Sequence, residues 1–181
     1  MIRRRDFLRS SGAWALGLAL PSLAATASAR IQPAKRRELS FVNLHTDEQL
    51  KAVYWADGRY QLDGLDAIDH VLRDHRSGEI YPIDLDLLDL LVKLRGRLGT
   101  SQPFHVISGY RSPATNALLA AQSDGVAYAS LHVEGKAIDI RVPGRRLRDL
   151  RRAALALEGG GVGYYPVDQF VHVDVGRVRW W

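Results

Sequence analysis

The distribution of apolar and polar residues over positions 39–181 predicts alternating strands and helices without a regular strand–helix–strand repeat. Short apolar or alternating runs predict strands at 39–44, 52–55, 59–62, 104–108, 136–142, 162–165 and 170–175. Apolar residues at helical spacing predict helices at 63–78, 84–98, 113–121 and 147–157. Because helices do not separate successive strands regularly, this order favours an α+β domain over a doubly wound parallel sheet.

Turn and terminal residues support several of these elements. Asp57 and Gly58 form a turn dipeptide between two short runs and predict a β-hairpin. Asp63 can cap the first helix, and Gly99 stops the second. In that second helix acidic residues cluster at the start and basic residues at the end, which suits the helix macrodipole.

Residues 1–29 have the layout of a removable export signal. Three arginines, Arg3 to Arg5, precede an apolar run at 13–20, and the segment ends in the Ala-Ser-Ala pattern that signal peptidases accept. The stretch 4–9 resembles a twin-arginine signal. The apolar run is far short of the roughly 20 residues that span a membrane, so cleavage is favoured over anchoring. We therefore expect a mobile basic lead at 30–38 and one folded domain at 39–181.

The net charge and the absence of cysteine exclude several functions. The 181 residues carry a formal charge of +5, of which +3 lies within residues 1–29. The remaining chain has too little positive charge to predict a nucleic-acid-binding face. Without cysteine there are no disulfides, thiolate metal sites or cysteine nucleophiles.

Three segments place ionisable side chains where a purely structural core would not. His132 precedes Asp139 by seven residues, and Asp139 stands within an apolar run that predicts a buried strand. His172 and Asp174 alternate with valines in another predicted strand and so share one of its faces. Arg111 directly follows a third strand. A buried carboxylate such as Asp139 needs a cation or several hydrogen-bond donors.

Two imidazoles and a carboxylate can hold a divalent cation and leave a fourth position to water. Three protein ligands are typical of catalytic zinc, whereas structural zinc usually has four. Water bound to such an ion loses its proton near neutral pH. The same donors also accept manganese or another divalent ion. Taken singly, His132 is more simply a loop histidine and His172 a hydrogen-bonded core histidine, so the combination with Asp139 is what favours a metal site.

These segments resemble those of a known enzyme family. The motif Ser-x-His-x-x-Gly-x-Ala-x-Asp at 130–139 lies between the block Ser-Gly-Tyr-Arg-Ser at 108–112 and the block Phe-Val-His-Val-Asp at 170–174. This order is similar to that of the D-Ala-D-Ala carboxypeptidase/hedgehog-type zinc peptidases, and most similar to their murein endopeptidase K group. The segments 73–76 and 160–165 and Trp180 extend the resemblance over nearly the whole mature chain. It implies a small, mostly antiparallel sheet flanked by helices.

The resemblance also implies roles for individual residues. It implies three Zn²⁺ ligands: His132, Asp139 and His172. Arg111 would hold a substrate carbonyl or carboxylate and stabilise the developing oxyanion, unless it simply pairs with a structural carboxylate such as Asp74. Ser130 would contact the substrate or support a ligand. Apart from the resemblance, Tyr164, Tyr165, Trp180 and Trp181 are more simply packing residues. The alternative is that Tyr164, beside the last zinc-binding strand, lines the substrate cleft.

The identity of the general base stays open. Relatives use a glutamate three positions before the last histidine ligand, where this sequence has Gln169, which cannot take a proton. Asp174 is the first candidate because its predicted side coincides with that of His172, and Asp168 and Glu134 follow. Alternatively, Asp174 orients a metal ligand through a hydrogen bond.

Together with the export signal, the resemblance predicts a periplasmic zinc peptidase that hydrolyses cross-links between the stem peptides of peptidoglycan. Two alternatives stay open: a zinc DD- or LD-carboxypeptidase that trims stem peptides, and a non-catalytic peptidoglycan-binding module that retains the metal site. We expect a monomer with no membrane span in the mature chain and no nucleic-acid partner.

Overall fold

The structure is a computed structural model that describes residues 36–122, 127 and 129–181. The predicted export signal and residues 30–35 of the predicted lead lie outside the described residues. Arg37 and Glu38, which the sequence assigns to the mobile lead, belong instead to the first strand. Arg37 is fixed there by an ion pair with Asp89, and its guanidinium lies 4.9 Å from the ring centre of Trp55.

Strands and helices are interspersed, which confirms the α+β class. The strands of the described residues are β1 (Arg37–Asn43), β2 (Gln49–Ala56), β3 (Arg59–Tyr60), β4 (Phe104–Ser108), β5 (Ala137–Arg141), β6 (Gly161–Tyr165), β7 (Phe170–Asp174) and β8 (Arg179–Trp180). The α-helices are α1 (Leu62–Val71), α2 (Leu85–Leu98), α3 (Pro113–Gln122) and α4 (Leu147–Leu155). A short 3-10 helix covers Leu131–Glu134.

The strands form one sheet in the order β3-β2-β1-β4-β5-β7-β6-β8. β1 and β4 pair in parallel, as do β6 and β8, while the pairings on both sides of β5 are antiparallel. The expectation of a small, mostly antiparallel sheet is thus corrected to an eight-stranded mixed sheet. Parallel neighbours need a crossover connection, and the chain between β1 and β4 supplies one through β2, β3, α1 and α2.

Capping explains why α2 has the bounds that the sequence predicts. The side chain of Asp84 accepts a hydrogen bond from the backbone N–H of Asp86 at 2.8 Å. Gly99 ends the helix in the left-handed conformation, with a φ of 57°. Between these caps, Leu87, Leu88, Leu91 and Leu94 are fully buried in the core.

The first helix ends at Val71, well before the predicted end near Gly78, because Asp74 organises a turn. The buried carboxylate of Asp74 accepts hydrogen bonds from the backbone N–H groups of Arg76 and Ser112, each at 3.0 Å. The second bond ties this turn to the segment that follows β4, which carries Arg111.

The central strands have a core face and a site face. Ile138 and Ile140 of β5 and Val171 and Val173 of β7 are buried in the hydrophobic core. Side chains alternate along a strand, so the residues between them, Asp139 and His172, lie on the other face. Among the described residues, no helix is both long enough and apolar enough to cross a membrane.

Candidate metal centre

Asp139 and His172 are brought together by strand pairing. The two residues are direct partners in the antiparallel β5–β7 pair, and both are buried. Side chains of directly opposed residues stand about 5 Å apart at their Cβ atoms. The register of the sheet therefore sets the distance between this carboxylate and this imidazole.

His132 reaches the same place from the 3-10 helix. Its Nδ1 lies 2.7 Å from the carbonyl oxygen of Gly109, to which it donates, so that Nε2 is left as an acceptor. The backbone carbonyl of His132 in turn accepts a hydrogen bond from the N–H of Arg111 at 3.2 Å. One hydrogen bond thus orients the buried ring, and the other fixes the backbone of His132.

Three potential ligand atoms converge at this point. His132 Nε2 lies 3.2 Å from His172 Nδ1 and 3.3 Å from Asp139 Oδ2, and His172 Nδ1 lies 2.9 Å from Asp139 Oδ1. Ligand atoms held about 2.1 Å from a tetrahedral zinc ion are about 3.4 Å apart. The three atoms therefore lie close to the corners of such a coordination shell, and these residues could hold a metal ion.

The charge of the cluster also suits a cation. Burial alone would raise the pKa of Asp139, but the imidazoles of His132 and His172 hold that pKa well below its usual range. Burial would likewise lower the pKa of His172, but hydrogen bonds to Asp139 and Asp174 raise it. The site therefore stabilises a positive charge, which a proton or a metal ion can supply.

Asp174 holds His172 from the side away from the cluster. His172 Nε2 lies 3.1 Å from Asp174 Oδ2. Asp174 is fully buried and also accepts hydrogen bonds from the backbone N–H groups of Gly161 and Gly176 and from the guanidinium of Arg179. Burial would raise the pKa of Asp174, but these donors hold it well below its usual range. A carboxylate with so many donors is suited to orienting His172 and poorly suited to taking a proton from water.

Arg111 lies beside the cluster. Its Nη2 is 3.7 Å from Asp139 Oδ2 and donates to Ser108 Oγ at 3.4 Å, and its Nη1 donates to Asn116 Oδ1 at 3.2 Å. Its Nε is buried and has no hydrogen-bond partner among the described residues. Burial lowers the pKa of Arg111, and Asp139 opposes that shift. The alternative partner, Asp74, is taken up by the backbone donors described above.

A cavity of about 330 Å³ gives access to the cluster. That volume is in the range of small-ligand sites in proteins. Besides the three clustered residues and Arg111, its lining includes Ala127, Ala129, Ser130, Leu131, Tyr165, Asp168, Phe170, Arg179 and Trp181. The cavity thus combines a buried polar base with small, charged and aromatic walls.

The two residues predicted to contact substrate, Ser130 and Tyr164, lie in different places. Ser130 lines the cavity. Tyr164 does not line it, whereas its neighbour Tyr165 does. Side chains alternate along β6, so Tyr164 packs against the hydrophobic core, with the guanidinium of Arg151 5.1 Å from its ring centre. The predicted strand is thus present, and Tyr165 is its tyrosine that faces the cavity.

The other two candidates for the general base, Asp168 and Glu134, line different cavities. Asp168 lines the cavity, and its carboxylate makes no hydrogen bond or ion pair within the described part of the chain. Glu134 lines a neighbouring cavity and forms an ion pair with Lys136 at 2.8 Å. Gln169 donates to the carbonyl oxygen of Pro166 and does not line the cavity.

Two residues of the cavity, Arg179 and Trp181, were not found by sequence reasoning. Arg179 belongs to β8 and Trp181 follows it; the sequence pattern does not predict this two-residue strand. Arg179 pairs with Asp174 at 2.7 Å, and the ring centre of Trp181 lies 5.3 Å from that of His172. The two adjacent tryptophans at 180–181 are a visible signal, but the sequence alone does not distinguish a cavity wall from core packing.

Comparisons with known proteins identify a family and several relatives. The sequence profile of the family described as "Peptidoglycan L,D-endopeptidase MepK" matches residues 31–181. The peptidoglycan L,D-endopeptidase MepK of Escherichia coli strain K12 is 45% identical over 179 residues, which cover 98% of this chain and 96% of that protein. The probable peptidoglycan L,D-endopeptidase MepK of Haemophilus influenzae is 38% identical over 173 residues, which cover 95% and 92%. No solved structure matches the chain.

Proposed function

Because the chain belongs to the peptidoglycan L,D-endopeptidase MepK family, we propose that it is a zinc-dependent endopeptidase that hydrolyses peptide cross-links of peptidoglycan. The observation that carries the proposal is the convergence of His132 Nε2, Asp139 and His172 Nδ1, all within 3.3 Å of one another, at the base of an accessible cavity. The relatives' name indicates a bond between an L- and a D-configured residue, and we propose the same bond class for this chain.

The donor set favours zinc over other divalent ions. Two imidazole nitrogens and one carboxylate are ligands that zinc commonly takes in hydrolases, whereas calcium and magnesium prefer oxygen ligands alone. When bound, zinc supplies Lewis-acid activation of water and of a carbonyl. The protein supplies the geometry: the Gly109 carbonyl orients His132, and Asp174 orients His172.

Arg111 and Asp168 complete the proposed machinery. The Arg111 guanidinium, beside Asp139, binds the oxygen of the scissile carbonyl and stabilises the negative charge that develops on it. Asp168 lines the cavity with a carboxylate that no described residue engages, so it accepts the proton of the attacking water and returns it to the leaving amine. Ser130, on the same cavity, contacts the substrate chain.

We extend the proposal to the organisation of the chain. The family profile begins at residue 31, just after the predicted cleavage site, and the first strand begins at Arg37. We propose that residues 1–29 are a twin-arginine export signal and that the chain from Arg37 onward is a periplasmic peptidase domain. The mixed sheet with its flanking helices is proposed to be a variant of the hedgehog/DD-peptidase-like fold. The mature protein is proposed to act as a monomer on stem peptides.

Digestion of purified sacculi by the zinc-loaded mature protein tests the activity. Mass analysis should show loss of cross-linked muropeptide dimers, while release of single terminal D-alanine would identify a carboxypeptidase instead. His172→Ala should lose both stoichiometric zinc and hydrolysis. His105→Ala, which removes a histidine outside the cavity lining, is the matched control and should keep both. Stoichiometric zinc in a wild-type protein that releases no product would identify a binding module.

A further inference from the structure

The cavity has an aromatic wall, which we define as Tyr165, Phe170 and Trp181. All three residues line the cavity beside the metal cluster. The rings of Tyr165 and Phe170 are stacked with 4.5 Å between their centres. The indole Nε1–H of Trp181 donates a hydrogen bond to the hydroxyl of Tyr165 at 2.7 Å. The three side chains therefore form one connected surface.

Gly163 leaves space for the aromatic wall beside His172, which belongs to the metal cluster. Gly163 is the strand partner of His172 in the β6–β7 pair. A Cβ atom at position 163 would lie 2.8 Å from Cε2 of Trp181 and 2.8 Å from Cε2 of Tyr165, which is closer than van der Waals contact allows. The indole thus occupies the space that a side chain at this position would fill, and its centre is 5.3 Å from that of His172.

Trp181 is held firmly although it is half exposed. Its backbone N–H donates to the carbonyl of Val162, and its carbonyl accepts from the N–H of Tyr164. The guanidinium of Arg179 lies 5.1 Å from its ring centre. Nevertheless, 47% of the residue is exposed. An aromatic side chain that is held in place, lines a cavity beside a candidate metal centre and stays partly exposed is typical of a contact surface for a ligand.

We propose that Trp181 is a specificity-determining residue, whose exposed indole face packs against the aliphatic part of the substrate residue next to the scissile bond. The proposal rests on the proposed function, because it assigns the ligand of the same cavity. Trp181 binds substrate and does not take part in the bond-breaking step. It therefore contributes to KM and to the choice of substrate, while the metal cluster and Arg111 determine kcat.

The test compares Trp181→Ala with wild type on a purified cross-linked muropeptide dimer. Loss of apolar contact over about 50 Å² predicts a rise of about tenfold in KM, with kcat within about twofold and unchanged zinc stoichiometry. Trp180→Ala is the matched control, because Trp180 is 66% exposed and does not line the cavity; its KM should equal that of wild type. Should Trp181→Ala fold poorly, Trp181→Phe and Tyr165→Phe, which keep aromatic rings, should still raise KM by about two- to threefold.

Two results would overturn the proposal while leaving the endopeptidase assignment intact. A folded Trp181→Ala protein with the KM of wild type would show that the indole does not touch the substrate. Loss of zinc from this variant would show that the ring serves only to support His172. If wild type fails to cleave the dimer, the proposed function fails. In that event the role of Trp181 is tested by binding alone. The dissociation constant of the same dimer is measured for wild type and for Trp181→Ala, and the variant should bind about tenfold more weakly.

Discussion

Replacing Asp174 by asparagine is the most direct test of how the cluster is held. The carboxylate accepts hydrogen bonds from His172 Nε2, from two backbone N–H groups and from both terminal nitrogens of Arg179. An amide of the same shape has only one acceptor oxygen. Its NH₂ group would face donors at the position of the other oxygen, so at least two of these bonds are lost.

The magnitude follows from burial and charge. A hydrogen bond to a charged group contributes about 1.5–3 kcal/mol, and Asp174 is fully buried. The side chain of Arg179 is 33% exposed, so its share is at the low end because water screens it. We expect Asp174→Asn to lower the free energy of unfolding by about 3 kcal/mol. Because His172 loses the partner that orients it, we also expect zinc affinity to fall by about 10- to 100-fold.

Two measurements check these numbers at pH 7. Urea unfolding of the metal-free protein gives the free energy of unfolding, and competition with a chromophoric chelator gives the zinc affinity. Asp168→Asn is the matched control, because it neutralises a carboxylate of the same cavity that makes no bond to a clustered residue; its zinc affinity should match wild type. If Asp174→Asn binds zinc as tightly as wild type and yet does not hydrolyse peptidoglycan, Asp174 is the general base and our reasoning is refuted.

Three further predictions concern catalysis and pH. Arg111→Lys keeps the charge but loses the forked donors, so kcat in the sacculus assay should fall about 10²- to 10³-fold with zinc content unchanged; a kcat equal to that of wild type would exclude oxyanion binding by Arg111. Asp168→Asn should lower kcat about 10²-fold with zinc content unchanged, whereas a kcat equal to that of wild type would eliminate this carboxylate as the base. Burial and the stacked ring of His45, 3.8 Å away between ring centres, lower the pKa of His75 to about 4, so the unfolded chain binds more protons between pH 6.5 and 4. Stability should therefore fall as the pH drops through this window, and His75→Gln should flatten the decline in urea midpoints; identical declines would contradict the assignment.

Local patterns predicted most elements because their causes are local. The acidic start and Gly99 at the end of α2 lie within the predicted segment and determine its bounds. By contrast, α1 stops at Val71 because Asp74 bonds to the backbone of Ser112, 38 residues away, which no local pattern reveals. The parallel pairing of β1 with β4 and the two-residue β8 likewise depend on contacts between distant segments.

Prediction of the site likewise succeeds where the cause is local and misses contacts between distant segments. Spacing placed His172 and Asp174 on one strand face, and the two side chains do touch. Spacing alone does not reveal Arg179 and the backbone donors that bind Asp174, and these donors favour the alternative in which Asp174 orients a metal ligand. The cavity lining includes Tyr165 and not Tyr164 for a related reason: the face that a strand residue occupies depends on register, and a shift of one position reverses it.

The direct opposition of Asp139 and His172 in the β5–β7 pair has a consequence for metal exchange. Since backbone hydrogen bonds of the central sheet set the separation of these side chains, we expect the proposed metal site to keep its shape without an ion. Removal of zinc by a chelator should therefore leave a folded protein, unlike a zinc finger, which unfolds without its ion. Cobalt(II) could then be introduced into the emptied pocket as a coloured reporter of tetrahedral coordination.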